Sequence, residues 1–155
     1  MEVRYICIGV AVIRWATDDD VPVLLDMAKA FLETHYADTL IFNAEKMQEL
    51  LAELISNPSG FLLVSEQDEN VVGTIGVLVY DHPMTGQALS SELFWWMNPE
   101  ARGGLDGMRL LKHAEKWVRD NRIPWMHVVA PNDRVKSFYR RLGFSELETH
   151  FQKAF

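Results

Sequence analysis

The feature that most constrains the fold of this sequence is a glycine-rich segment between an aromatic strand and an amphipathic helix. The predicted strand covers residues 89–97, and the predicted helix runs from about residue 104 to 120. Gly103, Gly104 and Gly107 lie at the junction. Glycines in this position expose backbone N–H groups where a helix begins, and the helix dipole adds partial positive charge. The segment therefore predicts a phosphate-binding site, although a tight turn alone would also account for the glycines.

Two familiar phosphate-binding motifs do not fit this segment. It has no Gly-Lys-Ser/Thr ending of the nucleoside triphosphate type, and no early strand leads into Gly-x-Gly-x-x-Gly. A phosphate-bearing cofactor of another kind is the remaining interpretation.

The rest of the chain alternates between strand and helix periodicities. Predicted strands cover residues 10–15, 61–65, 71–80, 124–129 and 147–155, and predicted helices cover residues 21–32, 44–55 and 133–142. Thr17 or Asp18 is expected to cap the first helix, and Asn57-Pro58 to end the second. This order predicts a three-layer α+β domain with a mixed, largely antiparallel twisted sheet of about six or seven strands and about four helices on its two faces. No repeat or linker interrupts residues 1–155, which are expected to form one domain.

Charge argues against polyanionic partners. The chain has 15 Lys and Arg against 22 Asp and Glu, a formal net charge of −7. Proteins that bind nucleic acid or an anionic membrane need the opposite balance, because they neutralise phosphates. We expect neither partner, and an acidic surface instead favours cationic small molecules such as amines.

The N-terminal region and the single cysteine, Cys7, bear on the cellular compartment. One cysteine excludes an intramolecular disulfide, and a reducing cytoplasm is the default expectation. Residues 5–13 are apolar but too few to span a bilayer. We interpret them as a strand within the sheet, with a cleaved leader as the alternative.

A short helix near the C-terminal end carries a tyrosine that admits two interpretations. Asn132 is placed to cap this helix, and Gly143 to end it in a left-handed conformation. Tyr139 shares a face with Val135 and Phe138, so the pattern alone indicates a core aromatic residue.

Taken together, these motifs resemble the GNAT superfamily of acyl-CoA-dependent N-acetyltransferases. The resemblance is carried by Pro99-Glu100-x-Arg102-Gly103, Gly107, Leu110-Leu111, Asn132, Phe138-Tyr139 and Gly143-Phe144. It covers nearly the whole chain from about Val10 onward.

The resemblance implies a sheet splayed open between the strand that ends near Met97 and the strand that ends near Val129, with acetyl-CoA in the cleft. The pantetheine arm would contact the strand at Trp96 and Met97, and the residues that would hold the cofactor are Trp96, Met97, Arg102, Gly103, Gly104, Leu105, Asp106, Gly107 and Asn132. Tyr139 would be the general acid that returns a proton to the departing thiolate. The implied function is direct acetyl transfer from acetyl-CoA to a primary amine of a small molecule or a peptide.

The phosphate segment departs from the family pattern at two positions. Leu105 stands where the family usually has glycine, and Asp106 adds a carboxylate beside it. A side chain at position 105 would obstruct a pyrophosphate, and an inward carboxylate would repel it. Gly103-Gly104 could move the close approach one residue earlier. The alternative hypothesis is a catalytically inactive GNAT-like module that binds acyl-CoA or serves in assembly.

Glu92 is the candidate general base on the acceptor side. Strand alternation is expected to place it on the face of Phe94 and Trp96, although a surface carboxylate fits the pattern equally well. Two predicted loops would border the acceptor pocket in this family. They contribute His35, Tyr36, Asp81 and His82 as candidate substrate-binding residues.

No metal site is predicted, because the five histidines are scattered and one cysteine forms no thiolate cluster. The absence of Gly-x-Ser-x-Gly makes an acyl-enzyme improbable, so we expect direct transfer. Phe151 and Phe155 on the last predicted strand fit either the core or a homodimer interface, so the oligomeric state stays open.

Overall fold

A mixed five-stranded sheet forms the centre of the fold in the computed structural model, which describes residues 11–56 and 59–155. The strands are β1 (Val12–Trp15), β2 (Gly60–Gln67), β3 (Asn70–Asp81), β4 (Ala88–Met97) and β5 (Met126–His127). They lie side by side in chain order. The first four are antiparallel, and β5 runs parallel to β4.

Helices cover both faces of the sheet, as predicted. They are α1 (Val21–Tyr36), α2 (Ala44–Ser56), α3 (Asp106–Asp120) and α4 (Asp133–Arg141). Helices α1 and α2 pack on one face, and α3 and α4 pack on the other. The β2 run 61–64 is buried on both faces, because Leu62 and Val64 enter the first core while Phe61 and Leu63 enter the second.

Helix α1 begins at Val21, as predicted, but after a 3₁₀ turn at Asp18–Asp20 rather than directly after a cap. The Asp20 carboxylate accepts hydrogen bonds from the Thr17 amide at 2.8 Å and from both terminal nitrogens of Arg14 at 2.7 and 2.9 Å. The Arg14 guanidinium lowers the pKa of Asp20 below its usual value. This ion pair fixes the chain direction from β1 into α1.

The strand predicted over residues 147–155 is wrong, which accounts for five strands rather than six or seven. These residues form no strand, and Leu147 and Phe151 are 72% and 93% exposed. The neighbouring edge strand β5 has only two residues in the ladder, so it offers too few backbone groups to hold another strand. The homodimer through Phe151 and Phe155 remains a prediction.

Two other sequence predictions fall largely on residues outside the described ranges. They are the strand over residues 5–13, of which only 11–13 are described, and the helix end at Asn57-Pro58. Within residues 11–56 and 59–155, no helix is long and apolar enough to cross a membrane.

The predicted splay between β4 and β5 is confirmed. The two strands pair only at Ser90 with Met126 and Ser91 with His127, and then separate. The Ser90 hydroxyl and amide both donate to the Trp125 carbonyl, at 2.9 and 3.0 Å, and so fasten the closed end. The gap opens immediately afterwards, at Glu92.

Candidate active site

A cleft of about 420 Å³ fills the gap between the separated strands. Its lining comes from three directions: Phe31, Leu32, His35, Tyr36 and Leu40 at α1 and the loop after it, Glu92, Leu93 and Trp95 on β4, and Val129, Pro131, Val135 and Tyr139 at α4 and the segment before it. Because α1 and α4 lie on opposite faces of the sheet, the cleft offers one wall on each face. Two reactants can therefore approach each other through the gap.

A β-bulge decides which way Glu92 points. In the β3–β4 ladder Val77 pairs with Glu92 and Gly76 pairs with Phe94, so Leu93 is an extra residue. Glu92 therefore shares the face of Val77, on the α3 and α4 side, while Phe94 lies on the α1 side. The prediction that Glu92 shares the face of Phe94 and Trp96 is wrong, because simple alternation assumes a strand without a bulge.

The bulge brings Glu92 to Tyr139. The Tyr139 hydroxyl donates to Glu92 Oε2 at 2.9 Å, and the two residues are only 4% and 9% exposed. The Val129 amide also donates to the Glu92 carboxylate. Burial raises the pKa of Glu92 to about 7, although both hydrogen bonds favour the ionised form. Burial and the adjacent carboxylate raise the pKa of Tyr139, so the phenol keeps its proton at neutral pH.

His35 and Tyr36 lie in the same cleft, so the structure brings four predicted site residues together. The His35 ring packs edge-on against Phe31 with a centroid distance of 5.0 Å. Burial, and then the charge of Arg102, lower the pKa of His35, which keeps its imidazole neutral at pH 7.

Asp81 and His82 lie elsewhere, at the far end of β3. Asp81 pairs with Ala88 in the ladder, and the His82 ring accepts from the Met84 amide at 3.3 Å. Neither residue contributes to the lining of the cleft.

The glycine-rich segment presents backbone donors in open space. A 3₁₀ turn (Pro99–Ala101) leads into Gly103, whose φ of +90° favours glycine, and α3 begins at Asp106. The amides of residues 103–108 donate no hydrogen bond to an acceptor in the part of the chain that the structure describes. Apart from the adjacent residues in the chain, no described atom lies within 4 Å of the positions that Cβ atoms would take at Gly103 and Gly104. Leu105 is 68% exposed.

Gly107 serves helix packing. A Cβ there would lie 3.3 Å from Met97 Cγ and 3.5 Å from Trp95 Cζ2, so glycine lets the start of α3 approach β4 closely.

The backbone of β4 offers further hydrogen-bonding groups to the gap. The Asn98 amide donates to the Val72 carbonyl at 2.9 Å, so Asn98 and, by alternation, Trp96 turn their backbone groups to β3. Met97 and Trp95 therefore turn theirs to the gap. The predicted cofactor contacts of the β4 backbone stay predictions. The Met97 amide is turned as such a contact requires, whereas the Trp96 backbone groups are paired with β3.

Arg102 lies against β4 instead of extending from the glycine-rich segment. Its Nε donates to the Met97 carbonyl at 2.9 Å, and its guanidinium lies 4.5 Å from the centre of the Trp96 ring. Since Trp96 belongs to the α1-side core, this positive charge faces the α1 side of the gap.

Asn132 caps α4 as predicted, because its Oδ1 accepts from the Val135 amide at 3.0 Å.

Eight of the twelve described lining residues are not among the sequence candidates, and Phe31 and Trp95 are the two aromatic residues of that group. Phe31 precedes His35 by four residues on α1, a spacing that places both on one helix face. Trp95 and Met97 are two apart on β4, a spacing that places both on one strand face. Periodicity could therefore have identified both residues once His35 and Met97 were selected.

The Asp106 side chain lies along α3 beside the guanidinium of Arg109. Its Oδ1 lies 3.1 Å from Arg109 Nη1, which also donates to the Ala11 carbonyl at 2.7 Å. We therefore expect Asp106→Asn to change the affinity for acetyl-CoA by less than roughly threefold, because the lost charge is already partly compensated. Isothermal titration calorimetry measures this effect, with Asp120→Asn at the other end of α3 as the charge-matched control. Tightening by an order of magnitude would show that the carboxylate faces the phosphates.

Within the described residues, no group of three or more His, Cys, Asp or Glu side chains is arranged to hold a metal ion.

Comparisons with known proteins were made for sequence and for structure. A sequence model of the Acetyltransferase (GNAT) family matches residues 24–144. A search of curated proteins finds no match.

Solved structures with the same fold include proteins of different description. A predicted acetyltransferase with acetyl-CoA from Clostridium acetobutylicum has a TM-score of 0.79 and 16% identity, over 93% of this chain and 96% of that chain. A transcriptional regulator from Bacillus halodurans C-125 has a TM-score of 0.75 and 18% identity, over 94% and 99%. An aminoglycoside acetyltransferase from an uncultured soil metagenomic sample, in complex with trehalose, has a TM-score of 0.72 and 16% identity, over 94% and 97%. At these identities the likeness establishes the fold alone.

Proposed function

Because the chain belongs to the GNAT acetyltransferase family, we propose that it transfers an acetyl group from acetyl-CoA directly to a primary amine. The observation that carries this proposal is the buried hydrogen bond of 2.9 Å between Tyr139 and Glu92 at the opening of the strand gap. A carboxyl group with a pKa near 7 beside a protonated phenol can accept one proton and return another.

The described residues fit acetyl-CoA as the acetyl donor. The amides of residues 103–108 at the start of α3, which have no acceptor among the described residues, suit a pyrophosphate. The backbone groups of Trp95 and the amide of Met97 face the gap and suit the amide groups of a pantetheine arm, whereas the Met97 carbonyl already accepts from Arg102. When bound, acetyl-CoA supplies the thioester carbonyl that an amine attacks and the thiolate that departs.

Glu92 has the properties of a general base. The nitrogen of the acceptor loses a proton when it forms the amide bond, and the Glu92 carboxylate lies in the cleft wall where it can take that proton. Its pKa near 7 leaves it about half ionised at neutral pH, so it can both take and release a proton.

Tyr139 connects this base to the leaving group. Its hydroxyl already touches Glu92 Oε2, so the phenol oxygen can receive the proton from Glu92 while its own proton passes to the departing sulfur. One proton thus moves from nitrogen to sulfur through two side chains, and both return to their starting states after each turnover. The lining residues within 11–56 and 59–155 include no serine or cysteine, and direct transfer from acetyl-CoA to the amine is therefore the simplest route through this cleft.

Titration with acetyl-CoA by calorimetry, followed by thiol release with a panel of amines, tests the proposal. We expect saturable binding and release of CoA that depends on the amine. Failure to bind acetyl-CoA at millimolar concentration would overturn the enzyme hypothesis, and binding without turnover of any amine would favour the inactive module. The cytoplasm remains the proposed location.

A further inference from the structure

The side chains on the α1 side of the cleft suit one kind of amine. Resting on the proposed function, we propose that the acceptor is a small monoamine that carries an aromatic or bulky apolar group, and not a polyamine or an aminoglycoside.

In this proposal the two sides of the cleft bind different reactants. The unpaired amides at the start of α3 place the acetyl donor on the face of the sheet that carries α3 and α4. The opposite wall, from α1 and the loop after it, then remains for the acceptor. This wall has two aromatic residues, Phe31 and Tyr36, and two leucines, Leu32 and Leu40.

The charges around the gap match a single ammonium group. Among the described residues, the one carboxylate in the lining is Glu92, which borders the gap from the α3 and α4 side, opposite this wall. Burial and then the charge of the Arg102 guanidinium lower the pKa of His35, which favours its neutral form and places a fixed positive charge near this wall. A polyamine or aminoglycoside carries several ammonium groups, each of which needs an acceptor when it leaves water. Among the described lining residues, one carboxylate can pair with an ammonium group, and a fixed cation lies near it.

The volume of the cleft and the packing of its aromatic residues also favour an acceptor with one aromatic ring. The cleft of about 420 Å³ has to hold the acyl end of the donor as well as the amine of the acceptor, and it has room for one aromatic ring against the apolar α1 wall. The Phe31 ring already packs against His35 and Phe94, with centroid distances of 5.0 and 6.2 Å. An aromatic ring of the acceptor, bound beside Phe31, could make ring contacts of the same kind.

The experiment compares 2-phenylethylamine, propylamine and spermidine. Thiol release with acetyl-CoA gives kcat/KM for each amine, and calorimetry with CoA-saturated protein gives the affinity of each amine without turnover. We expect 2-phenylethylamine to exceed both others by about tenfold or more in each measurement, because only this amine buries an aromatic ring against the α1 wall.

Substitutions in α1 test whether Phe31 causes the preference for 2-phenylethylamine. Phe31→Leu is expected to lower the ratio of kcat/KM for 2-phenylethylamine over propylamine by about threefold, and Phe31→Ala by about tenfold. Leu25→Ala, in the same helix and outside the cleft, is the control and should preserve the ratio. The ratio stays informative even where a variant lowers stability, since both amines report on the same folded fraction.

The outcomes separate this inference from the proposed function. Preference for spermidine, or for a peptide that begins with Phe, would overturn the inference and leave the acetyltransferase proposal standing. If no amine is acetylated, preferential binding of 2-phenylethylamine that Phe31→Ala abolishes would support the inference and overturn the function. Equal binding of the three amines would overturn the inference in either case.

Discussion

Replacement of Tyr139 by Phe is expected to lower kcat by one to two orders of magnitude and to leave the affinity for acetyl-CoA nearly unchanged. The substitution removes only the hydroxyl. The ring keeps its contacts with Trp95 and Phe144, at centroid distances of 6.0 and 5.3 Å, so the α4 packing survives. Steady-state thiol release gives kcat, and calorimetry gives the affinity for acetyl-CoA.

A second readout distinguishes proton transfer from simple support of the cleft. The hydrogen bond from Tyr139 favours ionised Glu92, so its loss should raise the Glu92 pKa above about 7 and move the acidic limb of the pH profile of kcat/KM upward. Tyr80→Phe, at a position 42% exposed and outside the cleft lining, removes the same atom and should change neither quantity. Full activity of Tyr139→Phe at every pH would exclude its role in proton return.

Much of this site could be predicted because its signals are local. The Asn132 cap, the Gly143 stop at φ +92° and the helix between them follow from short-range backbone chemistry. The start of α3 also agrees with the prediction, since glycine placement largely determines it. The splayed strand pair agrees with what the family resemblance implied.

The predictions that failed depend on contacts between distant segments. A bulge opposite Gly76 and Val77 determines which face of the sheet carries Glu92, and no residue type in β4 predicts the position of that bulge. The last predicted strand had suitable residues, but a strand also needs a partner edge, and the length of β5 cannot be read from residues 147–155.

Replacement of Glu92 by Gln is expected to lower kcat/KM by about two orders of magnitude, because the amide can accept the Tyr139 hydrogen bond but cannot take a proton. The acidic limb near pH 7 should disappear from the remaining activity, which measurement of kcat/KM between pH 5.5 and about 9 would show. Glu53→Gln, on an exposed face of α2, removes the same charge and serves as the control. Retention of the limb in Glu92→Gln would assign it to another group.

Stability gives a readout of Glu92 that is independent of activity. Its pKa is raised on folding from 4.5 to about 7, so the folded state favours the neutral carboxyl. The stability that this group contributes is fully present below pH 4.5 and is lost as the pH rises through about 7, by about 3 kcal/mol in all. Glutamine does not ionise, so Glu92→Gln should gain this amount relative to the parent protein between pH 4.5 and 8.5, measured by urea unfolding. A difference that does not vary with pH would contradict the buried, titrating carboxyl.

Comparison of the double variant with the single variants tests whether Glu92 and Tyr139 work as one relay. If a single proton passes through both side chains, loss of either breaks the path, and loss of the second adds little. We therefore expect kcat of Glu92→Gln with Tyr139→Phe to lie within about threefold of the slower single variant. Independent roles would instead multiply the two losses to about three or four orders of magnitude. Because their hydrogen bond is buried in the wall of the cleft, nonadditivity is the result that the geometry requires.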